Sequence, residues 1–157
     1  MKIVLQKVKR SSVEIKGKIV GEIADGYLLF LAIHKNDTEK DANALIEKVL
    51  KLRLFSSQMS KSFMEQNIVE YGGGILVVSQ FTLYGDSTKG TRPSFSDSAP
   101  AEKAEELYEY FLAKIREKCD LHLEHGEFGA HMDVEIINNG PITLILESNN
   151  SIFSPVE

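Results

Sequence analysis

Only two stretches of this chain repeat their apolar residues at helical spacing, and the rest of its apolar residues come in short runs. That contrast limits the fold more than any other feature. In the first stretch Ala42, Leu45, Ile46, Val49 and Leu50 recur at three- and four-residue intervals. Thr38, with Asp41 three residues on, approximates a capping box ahead of them, and the helix is expected to end near Leu54. In the second, Ala104, Leu107, Tyr108, Phe111, Leu112 and Ile115 keep the same spacing behind Pro100, which suits a first helical turn. The first third reads instead as a meander of short strands, Lys2–Arg10, Ser12–Lys16, Lys18–Ile23 and Tyr27–Ile33, with turns at Lys16-Gly17 and Asp25-Gly26. A loop over Ser56–Ser62 leads through Gly72-Gly73-Gly74 into a strand Ile75–Leu83, followed by a polar loop Gly85–Ala99. Two late strands, Asp133–Asn138 and Ile142–Glu147, flank Asn139-Gly140-Pro141. Many strands with two helices predict an α+β fold, layered antiparallel or mixed sheets covered on one side.

The length of 157 residues and the absence of repeats or linkers suit one domain over 1–148, with a loose polar tail at 149–157. No window reaches the ~18 uninterrupted apolar residues that span a bilayer, and charge enters too early for a signal peptide. The single cysteine, Cys119, rules out an intrachain disulfide and a thiolate metal cage, so a reducing cytoplasm is expected. A net charge of −5 argues against nonspecific coating of nucleic acid. The charge is uneven, however: the first twenty residues hold six bases against Glu14, whereas residues 101–127 are acidic. That asymmetry reads either as one basic face for phosphates or as two solvated surfaces.

Two segments are unusual for plain scaffold. In Ser79-Gln80-Phe81-Thr82-Leu83, polar side chains interrupt an apolar strand; strand geometry would place Gln80 and Thr82 on one face with Val78, and Ser79 and Phe81 on the other. Buried polar groups need partners, so that strand either bonds them to backbone or opens to a ligand. In Asn138-Asn139-Gly140-Pro141-Ile142-Thr143 the residues suit a tight hairpin turn, or a close backbone approach with an X-Pro bond of a type that adopts cis. His122, Glu124, His125, Glu127, His131 and Asp133 match no common zinc spacing, so no metal is expected. Cys119 has no evident histidine base and reads as packing. Neither a Gly-x-Ser-x-Gly elbow nor a phosphate-binding glycine loop is present, which argues against ordinary serine hydrolase and nucleotide-triphosphate chemistry.

With these two segments the sequence resembles the D-aminoacyl-tRNA deacylases of the bacterial and eukaryotic type, the D-tyrosyl-tRNA(Tyr) deacylase family. Ser79-Gln80-Phe81-Thr82-Leu83-Tyr84 and Asn139-Gly140-Pro141-Ile142-Thr143 correspond to its two signature motifs. The match continues through Gln6-Lys7-Val8, Gly21-Glu22-Ile23, Lys89–Asp97 and Phe128-Gly129-Ala130-His131-Met132, and covers the chain to about Ser148. Departures are Ser60, Gly85 and Ile142, where relatives more often carry asparagine, alanine and valine.

The resemblance implies a β-roll or barrel-like version of the α+β fold and a cofactor-free homodimer with its active site at the subunit interface. It implies that the acceptor end of aminoacyl-tRNA is the partner, with neither DNA nor membrane. Gln80, Phe81 and Thr82 would be the catalytic group and Ser79, Phe128 and Met132 would bind substrate. Gly140 and Pro141, from the other subunit and across a cis bond, would form a backbone wall that excludes an L side chain but not glycine. Three rival expectations follow: a glycyl-tRNA-specific relative, a noncatalytic RNA- or replication-associated binding module on the same fold, and a metal hydrolase using the late histidines.

Overall fold

One strand of fourteen residues organises the molecule. In the computed structural model, which describes residues 1–57 and 64–148, β1 (Lys2–Ile15) is paired along both of its edges. On one edge it meets β8 (Asp133–Glu147) over its whole length; on the other its first half meets β3 (Gly26–Ala32) and its second half β2 (Lys18–Ile23). The expected meander is therefore replaced by a long hairpin. Lys16 and Gly17, both at positive φ, form its two-residue turn, as the twist of a tight hairpin requires. Asp25-Gly26 does not reverse the chain: β3 runs on in the direction of β2 against the same edge of β1. Gly26 is needed there because a side chain would collide with the backbone of Gly74 on the neighbouring strand.

β6 (Gly74–Ser79) adds in parallel to β3, and β7 (Leu123–His125) in parallel to β6, giving a six-stranded mixed sheet. β7 returns against β2: a Cβ on Gly21 would stand 3.0 Å from the His125 carbonyl, and the His122 ring lies 3.2 Å from the Glu22 carbonyl. The sheet is thus curled into a nearly closed, barrel-like form, the layered α+β fold that the sequence implies.

Two apolar layers result. Tyr27, Leu29, Leu31, Ile75 and Val77 point to the helix side, whereas Leu28, Leu76 and Val78 join Val8, Val13 and Ile23 on the other. Burial on both faces explains why β3 and β6 read as unbroken apolar runs. Each such side chain, fully buried, contributes about 1.5–3 kcal/mol. The helix side is covered by α1 (Glu39–Lys51) and α3 (Ala101–Lys118), and all six periodic apolar positions of α3 are buried in it.

Several element bounds differ from expectation, each for a local reason. The Asp41 carboxylate accepts the Thr38 N–H at 2.9 Å, so α1 starts as its capping residues suggest. It stops at Lys51, and Leu54 belongs to β4 (Arg53–Phe55); Leu54 and Phe55 are buried in the same core as the helix, which mimics continued periodicity. β4 pairs with β5 (Gln66–Asn67) in a small second sheet. A third helix, α2 (Ile68–Tyr71), went unanticipated; Asn67 and Glu70 cap each other's N–H groups, and Gly72 at φ +78° ends the turn. The Asn139–Pro141 segment does not end a strand at all, because β8 runs through it. The Ser56–Ser62 loop falls mostly, and the tail 149–157 entirely, outside the described residues. No helix among those described is long and apolar enough to cross a membrane.

Candidate active site

The first motif sits where β6 stops. The Gln80 N–H makes a last bond to the Leu31 carbonyl at 2.8 Å, and the chain then turns into one 3-10 turn, Phe81–Tyr84. A strand to Leu83 is thereby corrected, and with it the alternation of faces. The Gln80 side-chain amide donates to the Thr82 hydroxyl, so the two polar groups meet across the bend. Phe81 swings outward, 57% exposed, and packs edge-on against Phe95 with ring centres 5.0 Å apart. Its carbonyl accepts the Ser98 hydroxyl at 3.1 Å, which fixes the orientation of the turn. The N–H groups of Phe81 and Thr82 open the turn and so have no partner within it.

Behind this bend lies a cavity of about 500 Å³. The ends of β3 (Leu31, Ala32 and the adjoining Ile33) and β6 (Val78, Ser79) form one wall, with Gln80 and Phe81 at its rim. Ala99, Ala101 and Ala104, at and before the start of α3, keep the second wall shallow, and Tyr108 lies deeper. Phe128 through Met132 form the third, held by the bond from Gly126 N–H to the Val77 carbonyl at 3.0 Å. A side chain on Gly126 would run into the Met132 sulfur. The Tyr108 hydroxyl donates to the Val77 carbonyl at 3.1 Å, and burial pushes its phenol well above the usual range, so it is a neutral prop. Its ring meets Phe128 at 5.6 Å. A largely apolar pocket with polar groups converging at one rim has the form of a small-ligand site.

The second motif is a bulge. Val8 pairs with Asn138 and Gln6 with Thr143, so four residues of β8, Asn139 to Ile142, stand opposite Lys7 alone. The hairpin-turn reading is overturned by this pairing. Asn138 closes the bulge by donating from its amide nitrogen to the Lys7 carbonyl at 3.0 Å and the Ile142 carbonyl at 3.1 Å. The Gly140-Pro141 bond is cis, and Gly140 has φ +121°, a region that L residues rarely adopt. A Cβ there would also lie 2.8 Å from the Ile142 side chain. Gly140 and Pro141 are both exposed.

Ser79, Gln80, Phe81, Phe128 and Met132 thus come together on one cavity, and Thr82 joins them through Gln80. Gly140 and Pro141 do not line it. Ser98 and Tyr108 support the first motif and Asn138 the second; in the sequence Tyr108 shows only as a periodic apolar position, Asn138 only as part of its segment, and Ser98 not at all. The late histidines separate: His122 faces the Glu22 carbonyl, His125 lies 2.7 Å from the Gly126 carbonyl, and His131 is in the cavity wall. Among the described residues no group of three His, Cys, Asp or Glu could hold a metal. Burial raises the Cys119 thiol pKa, which keeps it protonated.

The sequence profile of the D-Tyr-tRNA(Tyr) deacylase family matches residues 4–147. The chain belongs to that family. A D-aminoacyl-tRNA deacylase of Thermosipho melanesiensis is 50% identical over 148 residues, 94% of this chain and 97% of the relative. One from Bacillus thuringiensis is 49% identical over 94% of this chain and 99% of its own. Among solved structures, the c-Myc DNA Unwinding Element Binding Protein is 37% identical with a TM-score of 0.88, covering 94% of this chain and 98% of that one. A probable eukaryotic D-amino acid tRNA deacylase, at 17% identity and a TM-score of 0.80, shares the fold over 93% and 98%. Membership in the deacylase family makes this chain a hydrolase of the D-aminoacyl-tRNA deacylase type, a proofreading enzyme of translation.

Proposed function

We propose that this deacylase works in the cytoplasm as a homodimer, each of whose sites combines the cavity of one subunit with the Gly140-Pro141 bulge of the other. The observation that carries the reading is the separation of the motifs: the bulge projects, exposed, without lining the cavity of its own chain. The cavity would take the terminal adenosine and its aminoacyl ester, with Ser79, Phe128 and Met132 in contact. The partner's Gly140 and Pro141 would present backbone carbonyls to the substrate amino group. An L side chain then meets backbone, a D side chain points away, and glycine passes.

Water attacks the ester carbonyl, and the N–H groups of Phe81 and Thr82 hold the oxyanion that forms. Gln80, tied to Thr82, positions the water or the ester. Collapse breaks the bond to the ribose oxygen, which leaves as the hydroxyl with the proton shed by the attacking water. The neighbouring 2′-hydroxyl of the RNA assists that transfer, because Gln80, Phe81 and Thr82 carry no basic group. The products are free D-amino acid and tRNA.

Two variants test the composite site. Gln80→Ala and Gly140→Ala should each fail alone on D-tyrosyl-tRNA. Mixed after reversible dissociation, half of the dimers pair unlike chains and each of these has one intact site, so about one quarter of wild-type activity should return. No recovery in a mixture shown to exchange subunits would mean that each chain carries its own complete site. The wild type should cleave D-tyrosyl- and glycyl-tRNA but spare L-tyrosyl-tRNA, with or without chelator. The 37%-identical neighbour is named for binding a DNA element, which supports a second reading, nucleic-acid binding without catalysis. Protection of all three esters would favour it.

A further inference from the structure

A cavity that holds one nucleoside leaves the rest of the RNA strand unaccounted for, and every further nucleotide brings a negative charge to a chain whose net charge is −5. A cationic loop is rooted beside the cavity rim, where Phe95 packs on Phe81. Asp86 and Ser94 exchange two backbone hydrogen bonds of 2.8 Å each, which closes residues 87–93 into a projecting loop. Gly90, at φ +71°, turns its tip between Lys89 and Arg92. Both cations are exposed, and among the described residues neither has an ion pair or hydrogen bond. The acids nearest them in sequence are engaged: Asp86 accepts the Thr88 N–H at 2.9 Å, and Asp97 holds Lys35 at 2.7 Å.

The root of the loop is packed against the site. Phe95, one residue past the closing pair, lies on Phe81 at the cavity rim, and a Cβ on Gly85 would stand 2.9 Å from the Phe95 ring. The loop is therefore tied to the catalytic bend at both ends, by Gly85 and by Phe95. Long flexible side chains at its tip can follow a single-stranded backbone, and either cation can neutralise a phosphate as a mobile charge.

We propose that Lys89 and Arg92 are positioning residues that bind the phosphates leading into the terminal adenosine of the tRNA. The proposal deepens the deacylase reading and rests on it. The cations touch no reacting atom; they raise the occupancy of the productive pose without altering the chemical step.

The test compares D-tyrosyl-tRNA with D-tyrosyl-adenosine, the same ester without phosphates. In Lys89→Ala/Arg92→Ala the KM for the tRNA should rise about tenfold at moderate salt while kcat holds. The slope of log kcat/KM against log salt should become shallower by about 1.4, two single-strand contacts at about 0.7 each. Cleavage of D-tyrosyl-adenosine should be unchanged, which also shows that the variant is folded, and Lys89→Arg/Arg92→Lys should restore the tRNA kinetics. Equal losses on both substrates, or no loss on the tRNA, would overturn the assignment. Wild-type protein that leaves both esters intact would overturn the deacylase mechanism and this inference with it, a result distinct from either.

Discussion

β6 and β8 both abandon regular pairing at their motif residues, in opposite ways. At Ser79 the strand ends and its polar groups turn inward on one another: Gln80 to Thr82, Ser98 to the Phe81 carbonyl, all around a cavity. At Asn139 the strand continues, pairing with β1 on both sides, and leaves four residues unpaired, of which Gly140 and Pro141 are exposed. The first break makes a concave, polar-rimmed receptor; the second makes a convex one with a backbone tip clamped by Asn138. The contrast suggests a division of labour, in which the β6 bend acts on every ester that reaches it and the β8 bulge decides which esters do.

The strongest test of that division is Gln80→Ala. Loss of its contact with Thr82 leaves the ester or its water misplaced, and misplacement of that kind costs about 100-fold in rate. Single-turnover cleavage of D-tyrosyl- and glycyl-tRNA should fall by the same factor, with thermal stability close to wild type. A variant that lost only one of the two substrates would put selection in the β6 bend.

Asn138→Ala addresses the other break and should act less strongly. It removes two partly buried hydrogen bonds that hold the two ends of the bulge, a loss of about 1–3 kcal/mol in stability. A looser wall should also admit L-tyrosyl-tRNA, narrowing the D-to-L preference about tenfold while D cleavage changes little. Denaturant unfolding read beside both rates separates the effects: lower stability with intact discrimination would make Asn138 a purely structural clamp.

How far the sequence discloses these breaks depends on whether each follows a period. α3 is legible because its six apolar positions all face one core, so its period survives into the structure. Ser79, Gln80 and Thr82 are legible because hydroxyls and an amide at the end of an apolar strand demand partners, whereas Phe128 and Met132 follow from the resemblance alone; the geometry is not legible, since nothing in the alternation marks Ser79 as the terminus. The β8 bulge is the harder case. Asn-Gly-Pro is turn chemistry, and only the pairing of both flanks with one continuous β1 reveals that the chain never reverses. The meander and the hairpin turn share that cause, for the length of β1 is hidden by the Arg10-Ser11-Ser12 polar stretch in its middle, where Ser11 is buried and bonded to the Glu135 carbonyl at 2.7 Å. α2 and β7 are too short, at four and three residues, to show any period.

Ser98→Ala is the mildest and most discriminating change. Ser98 itself does not line the cavity; its hydroxyl holds the Phe81 carbonyl, and through it the tilt of the one peptide plane that carries the Thr82 N–H. Removing one neutral hydrogen bond in a solvent-accessible setting costs about 1 kcal/mol, which corresponds to about fivefold in rate if all of it falls on the transition state. The ground-state carbonyl of the ester draws less on that donor than the oxyanion does, so kcat should fall with KM nearly unchanged, and equally for D-tyrosyl and glycyl esters. Ser98→Thr, which keeps the hydroxyl, should restore the rate. A rise in KM at constant kcat would instead place Ser98 among the residues that shape substrate entry, and would remove the Thr82 N–H from the chemical step.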